Sequence, residues 1–139
     1  MTRPVLGAIA VVCHQGQVIL IQRGKDPRAG MWGFPGGHVE YGETGMQAAA
    51  RELLEETGVV ARPRSYLTNI DVIARDDTNA VRAHYLLTAV LCDYVSGHPV
   101  AADDAAQAGW YAVDGLEDAG LDLLDQVVDV ARVALQQLA

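Results

Sequence analysis

Three glutamates, Glu52, Glu55 and Glu56, have the residue type and spacing to hold a divalent cation. At about 100° per residue, positions i, i+3 and i+4 project from one face of a helix. Carboxylates crowded on one stripe repel one another by roughly a few tenths of a kcal/mol per close pair. Mg²⁺ takes oxygen ligands, usually a few carboxylates with water and substrate phosphates, and would offset this repulsion. The alternative is a solvated helix face, in which Arg51 softens the repulsion.

The segment before this stripe supplies two glycines and another acid that could shape such a site. Gly36 and Gly37 directly precede an acidic loop, and Pro35 stiffens their approach. Glycine permits backbone conformations closed to other residues, so a carbonyl here could point at a ligand. Glu43 lies on the loop and Arg51 on the helix. We therefore expect an ion pair between them, with the structural role of holding the loop against the helix.

Residue types at both ends predict the helix that carries the acids. Glu43-Thr44 offers a start, with the Thr44 hydroxyl as the cap. Residues 46–57 are rich in good helix formers, and Gly58 is a typical C-terminal residue. We expect one face of this helix to pack on a sheet. The residues predicted to form that face are Met46, Ala50, Leu53, Leu54 and Thr57.

Apolar runs before and after this helix predict the strands of that sheet. Their spacing indicates hairpins on both sides of the helix and an amphipathic helix at the end of the chain. This order predicts an α/β fold with a mixed β-sheet flanked by helices. The predicted elements are strands at 5–13 and 18–23, a loop at 24–30, a dense turn at 32–37, strands at 65–74 and 81–95 around a loop at 75–79, a strand at 109–113 and a helix at 121–138.

Length, charge and cysteine content restrict the class of protein. A chain of 139 residues suits one domain, spanning residues 1–139. With 18 acids against 10 bases the net charge is -8, which argues against binding of nucleic acid, since that requires a basic face. No apolar run approaches the roughly 18 residues needed to cross a membrane. Cys13 and Cys92 lie in separate apolar runs, which predicts buried free thiols and a cytoplasmic protein.

Residues 37–59 resemble the Nudix box, the signature of the Nudix hydrolase (MutT-like) family. Its pattern is Gly, five residues, Glu, seven residues, Arg-Glu, an aliphatic residue, any residue, Glu-Glu, any residue, Gly and an aliphatic residue. The resemblance implies a Nudix-type α/β/α sandwich and hydrolysis of a nucleoside diphosphate linked to another moiety. The residues at the fixed positions are Gly37, Glu43, Arg51, Glu52, Leu53, Glu55, Glu56, Gly58 and Val59.

The resemblance also implies metal dependence and roles for individual residues. Family members use Mg²⁺ or Mn²⁺. Glu55 and Glu56 match the principal metal ligands, and the carbonyl of Gly36 matches a backbone ligand. Glu52 matches a residue that acts as a metal ligand or as the base that activates water. The expected catalytic residues are therefore Glu52, Glu55 and Glu56.

Residues outside the box are similar to further sites of the family. Asp104 lies six residues before Trp110, a spacing at which some relatives supply an extra metal ligand or base. The alternative for Asp104 is a solvated loop acid. Arg23 and Arg28 lie between the first hairpin and the box, where family members often contact substrate phosphates.

The sequence leaves the substrate open within one class. The expected partner is a small-molecule nucleotide, either a nucleoside triphosphate or an ADP-ribose-like nucleotide sugar, and no nucleic acid or membrane. A non-catalytic nucleotide-sensing Nudix domain is the alternative, although such domains usually have a damaged box. Relatives are often dimers, so a homodimer is one expectation for the oligomeric state.

Overall fold

A mixed β-sheet with helices on both faces forms the scaffold of this chain. The computed structural model describes residues 3–26 and 28–139, and within these ranges the sheet has seven strands. In chain order the elements are β1 (Val5–His14), β2 (Gln17–Arg23), β3 (Trp32–Gly33), β4 (Gly36–His38), α1 (Gly45–Thr57), β5 (Val60–Arg75), β6 (Val81–Ser96), β7 (Ala105–Ala112), a 3-10 turn (Leu116–Asp118) and α2 (Val127–Gln137).

Strand β1 organises the sheet because it pairs with three other strands. The strand order is β3-β2-β1-β6-β5, with β4 paired to β1 and β7 paired to β2. One edge of β1 runs parallel to β6 over most of its length. Its other edge pairs first with β4, where Ile9 lies opposite Gly36, and then with β2 at its end. This change of partner brings the glycines of β4 against the centre of the sheet.

The two faces of β1 carry the two halves of the core, because alternate residues of a strand point to opposite faces. On one face Ala8 and Ala10 pack with Leu53 of α1. On the other face Val11 and Cys13 pack into the cluster that includes α2. Complete burial of one leucine such as Leu53 contributes about 1.5–3 kcal/mol. The predicted α/β/α arrangement with a mixed sheet is confirmed.

Helix α1 begins and ends as the sequence predicts. The Thr44 hydroxyl accepts a hydrogen bond from the backbone N–H of Gln47 at 3.0 Å, and the Gln47 side chain accepts one from the Thr44 N–H at 2.9 Å. This reciprocal capping box satisfies two helix N–H groups. Gly58 follows with φ 74°, a left-handed conformation that glycine adopts without strain, and it ends the helix.

The prediction of the sheet-facing side of α1 was partly wrong. Of its five members only Leu53 and Thr57 are buried, and Leu54 is 52% exposed. Ala48 and Ala49 are buried instead. Helical spacing predicts an apolar stripe, but the contact centres on small residues because α1 lies close to the alanines of β1. Long side chains at the margin of that contact remain exposed.

The closing helix is shorter than the predicted range 121–138. It begins at Val127 because residues 122–124 run beside β3 as an extended segment. The Trp32 N–H donates to the Asp122 carbonyl at 2.8 Å, and the Leu124 N–H donates to the Trp32 carbonyl at 2.9 Å. In the described part of the chain, neither α-helix is long and apolar enough to cross a membrane.

Strands β5 and β7 are longer than predicted. Strand β5 begins at Val60 rather than at residue 65, and it contains Pro63. Proline is tolerated there because β5 is at the edge of the sheet and its register shifts at this point. Strand β7 begins at Ala105 rather than at residue 109, since its first half pairs with the end of β2.

Candidate active site

Glu56 is the buried acid of the stripe, with 6% of its surface exposed. Its Oε1 accepts a hydrogen bond from the Gly36 N–H at 2.8 Å, so the side chain faces β4. The pKa of Glu56 is raised to about 8, mainly by burial; the Gly36 hydrogen bond opposes this rise, and nearby Glu52 and Asp104 add to it. At neutral pH this carboxyl therefore needs a positive charge beside it in order to ionise fully.

Glu52 lies one helical turn before Glu56 and packs against the second glycine of β4. A side-chain carbon at Gly37 would lie 2.5 Å from Glu52 Cδ, so the carboxylate occupies space that only glycine leaves. Glu52 Oε1 also accepts a hydrogen bond from Arg51 Nη1 at 2.9 Å. These contacts place the Glu52 carboxylate between β4 and Arg51, beside Glu56.

Arg51 joins the acidic loop to the helix. Its Nε and Nη2 donate to the two carboxylate oxygens of Glu43 at 2.8 and 3.0 Å, so the predicted ion pair is present. Its Nη1 also reaches Glu55 at 3.3 Å, and its Nη2 donates to the His38 carbonyl at 3.0 Å. The hydrogen bonds from Arg51 hold the pKa of Glu43 at about 2. The network fixes the loop that follows β4 with respect to α1.

The acids of this site fit an oxygen-binding divalent cation. Glu52 and Glu56 supply adjacent carboxylates, Gly36 lies against Glu56, and Glu55 is 43% exposed at the rim. Within residues 3–26 and 28–139, no three His, Cys, Asp or Glu side chains are already arranged around a common ion position. Mg²⁺ commonly binds one or two carboxylates and completes its coordination with water and substrate phosphates. The pair of adjacent carboxylates suits Mg²⁺, because it leaves coordination positions of the cation open to a diphosphate.

The loop before β7 brings Asp104 to the C-terminal end of α1. The Ala102 N–H donates to the Glu56 carbonyl at 2.9 Å, and the Asp104 carboxylate is close enough to raise the pKa of Glu56. Asp104 also forms an ion pair with Lys25 at 3.1 Å. Both of these side chains are well exposed, so the pair contributes at most about 1 kcal/mol. A charged loop thus lies beside the buried acid.

The two arginines predicted to contact phosphates occupy different positions. Arg23 ends β2 opposite Ala105, the residue after Asp104, and its side chain is half-buried. Arg28 is exposed, with φ 66°, in the predicted loop 24–30, of which Pro27 lies outside the described residues. The register of β2 and β7 therefore places Arg23 next to the segment that carries Asp104.

The sequence model of the NUDIX domain family matches residues 1–133. The chain belongs to the Nudix hydrolase family. It is 30% identical over 129 residues to the ADP-ribose pyrophosphatase of Methanocaldococcus jannaschii, covering 93% of this chain and 74% of that protein. It is 37% identical over 82 residues to the phosphatase NudJ of Escherichia coli, covering 59% of this chain and about half, 53%, of NudJ. The hydrolase class, acting on pyrophosphate bonds, follows from these relatives.

A solved structure supports the same family. The MutT NUDIX hydrolase from Burkholderia pseudomallei is 31% identical to this chain and matches it with a TM-score of 0.74. The match covers 99% of both chains. The arrangement of sheet, helix and acidic loop described above is therefore that of the Nudix fold.

The position of Tyr85 beside the Nudix box was not predicted from the sequence. The ring of Tyr85 lies 6.0 Å from the imidazole of His38, centroid to centroid. A tyrosine in an apolar strand is most often part of the core, so its type gave no signal. Its place depends on the register of β6 against β1, which local sequence patterns do not specify.

Proposed function

We propose that this Nudix hydrolase is a pyrophosphohydrolase that requires Mg²⁺ or Mn²⁺ and cleaves a phosphoanhydride bond by attack of water at phosphorus. The observation that carries the proposal is the buried Glu56 beside Glu52, with its pKa raised to about 8. A carboxyl is costly to bury in the ionised form unless a positive charge compensates it. A divalent cation is the charge that this arrangement fits.

The residues of the site have different proposed roles. When bound, the cation supplies positive charge that neutralises the diphosphate and makes water more acidic. Glu52, which packs against Gly37 and accepts a hydrogen bond from Arg51, is proposed to bind that cation or to take the proton of the attacking water. Glu55 and the Gly36 carbonyl are proposed as further ligands, with Asp104 as an additional one from the β7 loop. Arg51 keeps these acids in position by hydrogen bonds rather than by contact with the substrate.

The proposed substrates are nucleoside diphosphates linked to a second group. An ADP-ribose-like nucleotide sugar comes first, because the archaeal relative that aligns with most of this chain is an ADP-ribose pyrophosphatase. Nucleoside triphosphates are the second class. Arg23, at the end of β2 near the Asp104 loop, is proposed as a phosphate contact, and Arg28 as a second one from the adjoining loop.

A substrate panel in H₂¹⁸O tests this proposal. Purified protein with Mg²⁺ is incubated separately with ADP-ribose, other nucleotide sugars and nucleoside triphosphates. The products are separated, and their masses are measured by mass spectrometry. We expect turnover of at least one class, with one ¹⁸O incorporated into the phosphate group of one product, because water attacks phosphorus. Glu56→Gln should reduce kcat by about 100-fold or more, since a charge-stabilising group is lost. Saturable nucleotide binding without turnover would instead indicate a sensor.

A further inference from the structure

We propose that Lys25 competes with the divalent cation for the carboxylate of Asp104, and so sets the cation concentration at which this part of the site fills. The inference rests on the proposed function, in which Asp104 is an additional ligand of that cation. The Lys25 ammonium forms an ion pair with this carboxylate, so a cation that binds there must displace it into solvent.

A tight turn places Asp104 against the end of the helix that carries the buried acid. The Ala102 N–H donates to the Glu56 carbonyl at 2.9 Å, and the Ala105 N–H donates to the Ala102 carbonyl at 3.1 Å. Asp104 lies within this turn. Burial is the main cause of the raised pKa of Glu56, and the charge of Asp104 adds to it. The negative charge of Asp104 therefore acts at the site proposed to bind the cation.

Backbone contacts hold Lys25 beside this turn. The Gly24 N–H donates to the Asp104 carbonyl at 2.9 Å. A side-chain carbon at Gly24 would lie only 2.7 Å from the same carbonyl oxygen, so the close approach of the two segments requires glycine. The loop that follows is closed by the Gly30 N–H, which donates to the Arg23 carbonyl at 2.8 Å. The backbone of Lys25 is therefore fixed next to Asp104.

The ion pair itself is weak enough to exchange its cation. Lys25 Nζ lies 3.1 Å from Asp104 Oδ2, and the two side chains are 66% and 63% exposed. Water and salt screen such a pair, so it contributes little stability. A divalent cation carries twice the charge of an ammonium, binds carboxylate oxygens directly and repels an ammonium close to it. The Asp104 carboxylate therefore accepts either the ammonium or the divalent cation.

The type of residue at position 25 agrees with an exchangeable pair. Lys25 is the only lysine among the 10 basic residues of the chain. The pair that holds the acidic loop uses an arginine instead, and Arg51 donates to both carboxylate oxygens of Glu43. A guanidinium binds a carboxylate through two parallel hydrogen bonds, whereas an ammonium is a compact and strongly hydrated point charge. The lysine pair is therefore the one that opens more easily.

Nuclear magnetic resonance of the labelled lysine tests the displacement directly. Reductive methylation with ¹³C keeps the positive charge, and Lys25 gives the one labelled lysine resonance. Asp104→Asn supplies the resonance position of the unpaired ammonium. We expect saturating Mg²⁺ to move the wild-type resonance towards that position and to move the resonance of Asp104→Asn much less. A wild-type resonance that stays in place, while Mg²⁺ still raises Tm, would overturn the proposal.

The affinity for Mn²⁺ provides a second test, which needs neither nucleotide nor turnover. Free Mn²⁺ is measured by electron paramagnetic resonance during a titration. Lys25→Met should lower the Kd for Mn²⁺ by up to about 5-fold, the limit set by the strength of an exposed ion pair. Lys25→Arg should not lower the Kd, since the guanidinium still occupies the carboxylate. In an Asp104→Asn background Lys25→Met should have no effect, because the competition requires that carboxylate.

Arg132→Met is the matched control for the loss of one positive charge. Arg132 forms an exposed ion pair with Glu117, and it lies on α2, which packs on the opposite face of the sheet from α1. Its Kd should equal that of wild type. A Kd that is unchanged in Lys25→Met, or that falls equally in the Asp104→Asn background, would overturn the competition but leave the proposed function standing. A wild-type protein that binds no Mn²⁺ would overturn both.

Discussion

Glu52, Glu55 and Glu56 have the same chemistry but different surroundings. Glu56 is buried under β4 and its pKa is raised, Glu52 fills the space left by Gly37, and Glu55 remains 43% exposed near Arg51. The environment, rather than residue type, therefore distinguishes the three acids that are proposed to bind the cation. Glu56 and Glu52 have the strongest positional constraints.

Gly37→Ala should separate positioning of Glu52 from stability of the fold. The added carbon would lie 2.5 Å from Glu52 Cδ, the end of a flexible side chain that can move away. We expect kcat to fall by about 100-fold, the effect of displacing a catalytic group by about 1 Å, with little change in Tm. Steady-state kinetics and thermal melts measure the two quantities.

Gly36→Ala is the comparison for that variant. A carbon there would lie 2.3 Å from the Ala8 carbonyl, a backbone atom that cannot move away cheaply. Its Tm should fall clearly. If Gly37→Ala kept wild-type kcat, Glu52 would not have the role assigned to it.

Glu43→Gln should produce a stability loss that depends on pH. The folded-state pKa of Glu43 is about 2, below its usual value of 4.5, mainly because Arg51 donates hydrogen bonds to the ionised form. The stabilisation by this carboxylate is therefore complete above pH 4.5 and is lost as the pH falls towards 2. Thermal melts at pH 7 and pH 3 should show a larger difference in Tm between wild type and variant at pH 7. A difference that does not change with pH would contradict the ion-pair role.

The residues of this site could be predicted from the local sequence, but the burial of Glu56 could not. Glu43, Arg51 and the glutamates could be predicted because their spacing along one loop and one helix is local. The burial of Glu56 could not, since it depends on a hydrogen bond to Gly36, which is 20 residues earlier. The spacing of the acids along α1 cannot show whether another element, here β4, covers one of them.

At the scale of elements, α1 positions the acids because its opposite side is anchored in the core. Leu53 and Leu54 both lie between Glu52 and Glu55 along the chain. Leu53 is completely buried, whereas Leu54 is 52% exposed. Helix-forming composition predicted the helix, and the capping residues Thr44 and Gly58 predicted its ends. Helical periodicity could not identify the buried leucine, because that depends on the alanines of β1 that α1 packs against.

Leu53→Ala and Leu54→Ala form a matched pair on this helix. Leu53→Ala should lower the free energy of unfolding by about 2–5 kcal/mol, because it leaves a cavity in the core. Leu54→Ala should change it by no more than about 0.5 kcal/mol, since the side chain is largely in solvent. Urea unfolding monitored by circular dichroism measures both. Equal losses for the two variants would show that α1 packs differently.

The arrangement of the whole molecule depends on pairings between distant segments. Strand β1 shares one edge between β4 and β2, and the loop carrying Asp104 contacts the end of α1. Local patterns predicted the strands but not these contacts. The closing helix shows where a local pattern fails. Leu121 to Leu124 have helical spacing, but residues 122–124 pair with β3 around Trp32. Tertiary pairing there overrides periodicity.

Cation binding should stabilise the whole molecule. A ligand present at about 100 times its Kd adds about 2.7 kcal/mol to the free energy of unfolding, which raises Tm by several degrees in a domain of this size. We expect this increase on exchanging EDTA for Mg²⁺. Glu56→Gln should abolish it, while Glu117→Gln, an acid in the 3-10 turn far along the chain, should retain it. An undiminished increase in Glu56→Gln would place the cation elsewhere.

Anomalous diffraction from crystals soaked in Mn²⁺ and the methylene analogue of ADP-ribose tests the central claim most directly. We predict an anomalous peak within bonding distance of Glu52 and Glu56 carboxylate oxygens and of a phosphonate oxygen of the ligand. A peak confined to other acids of this chain, with the ligand bound away from α1, would contradict the account.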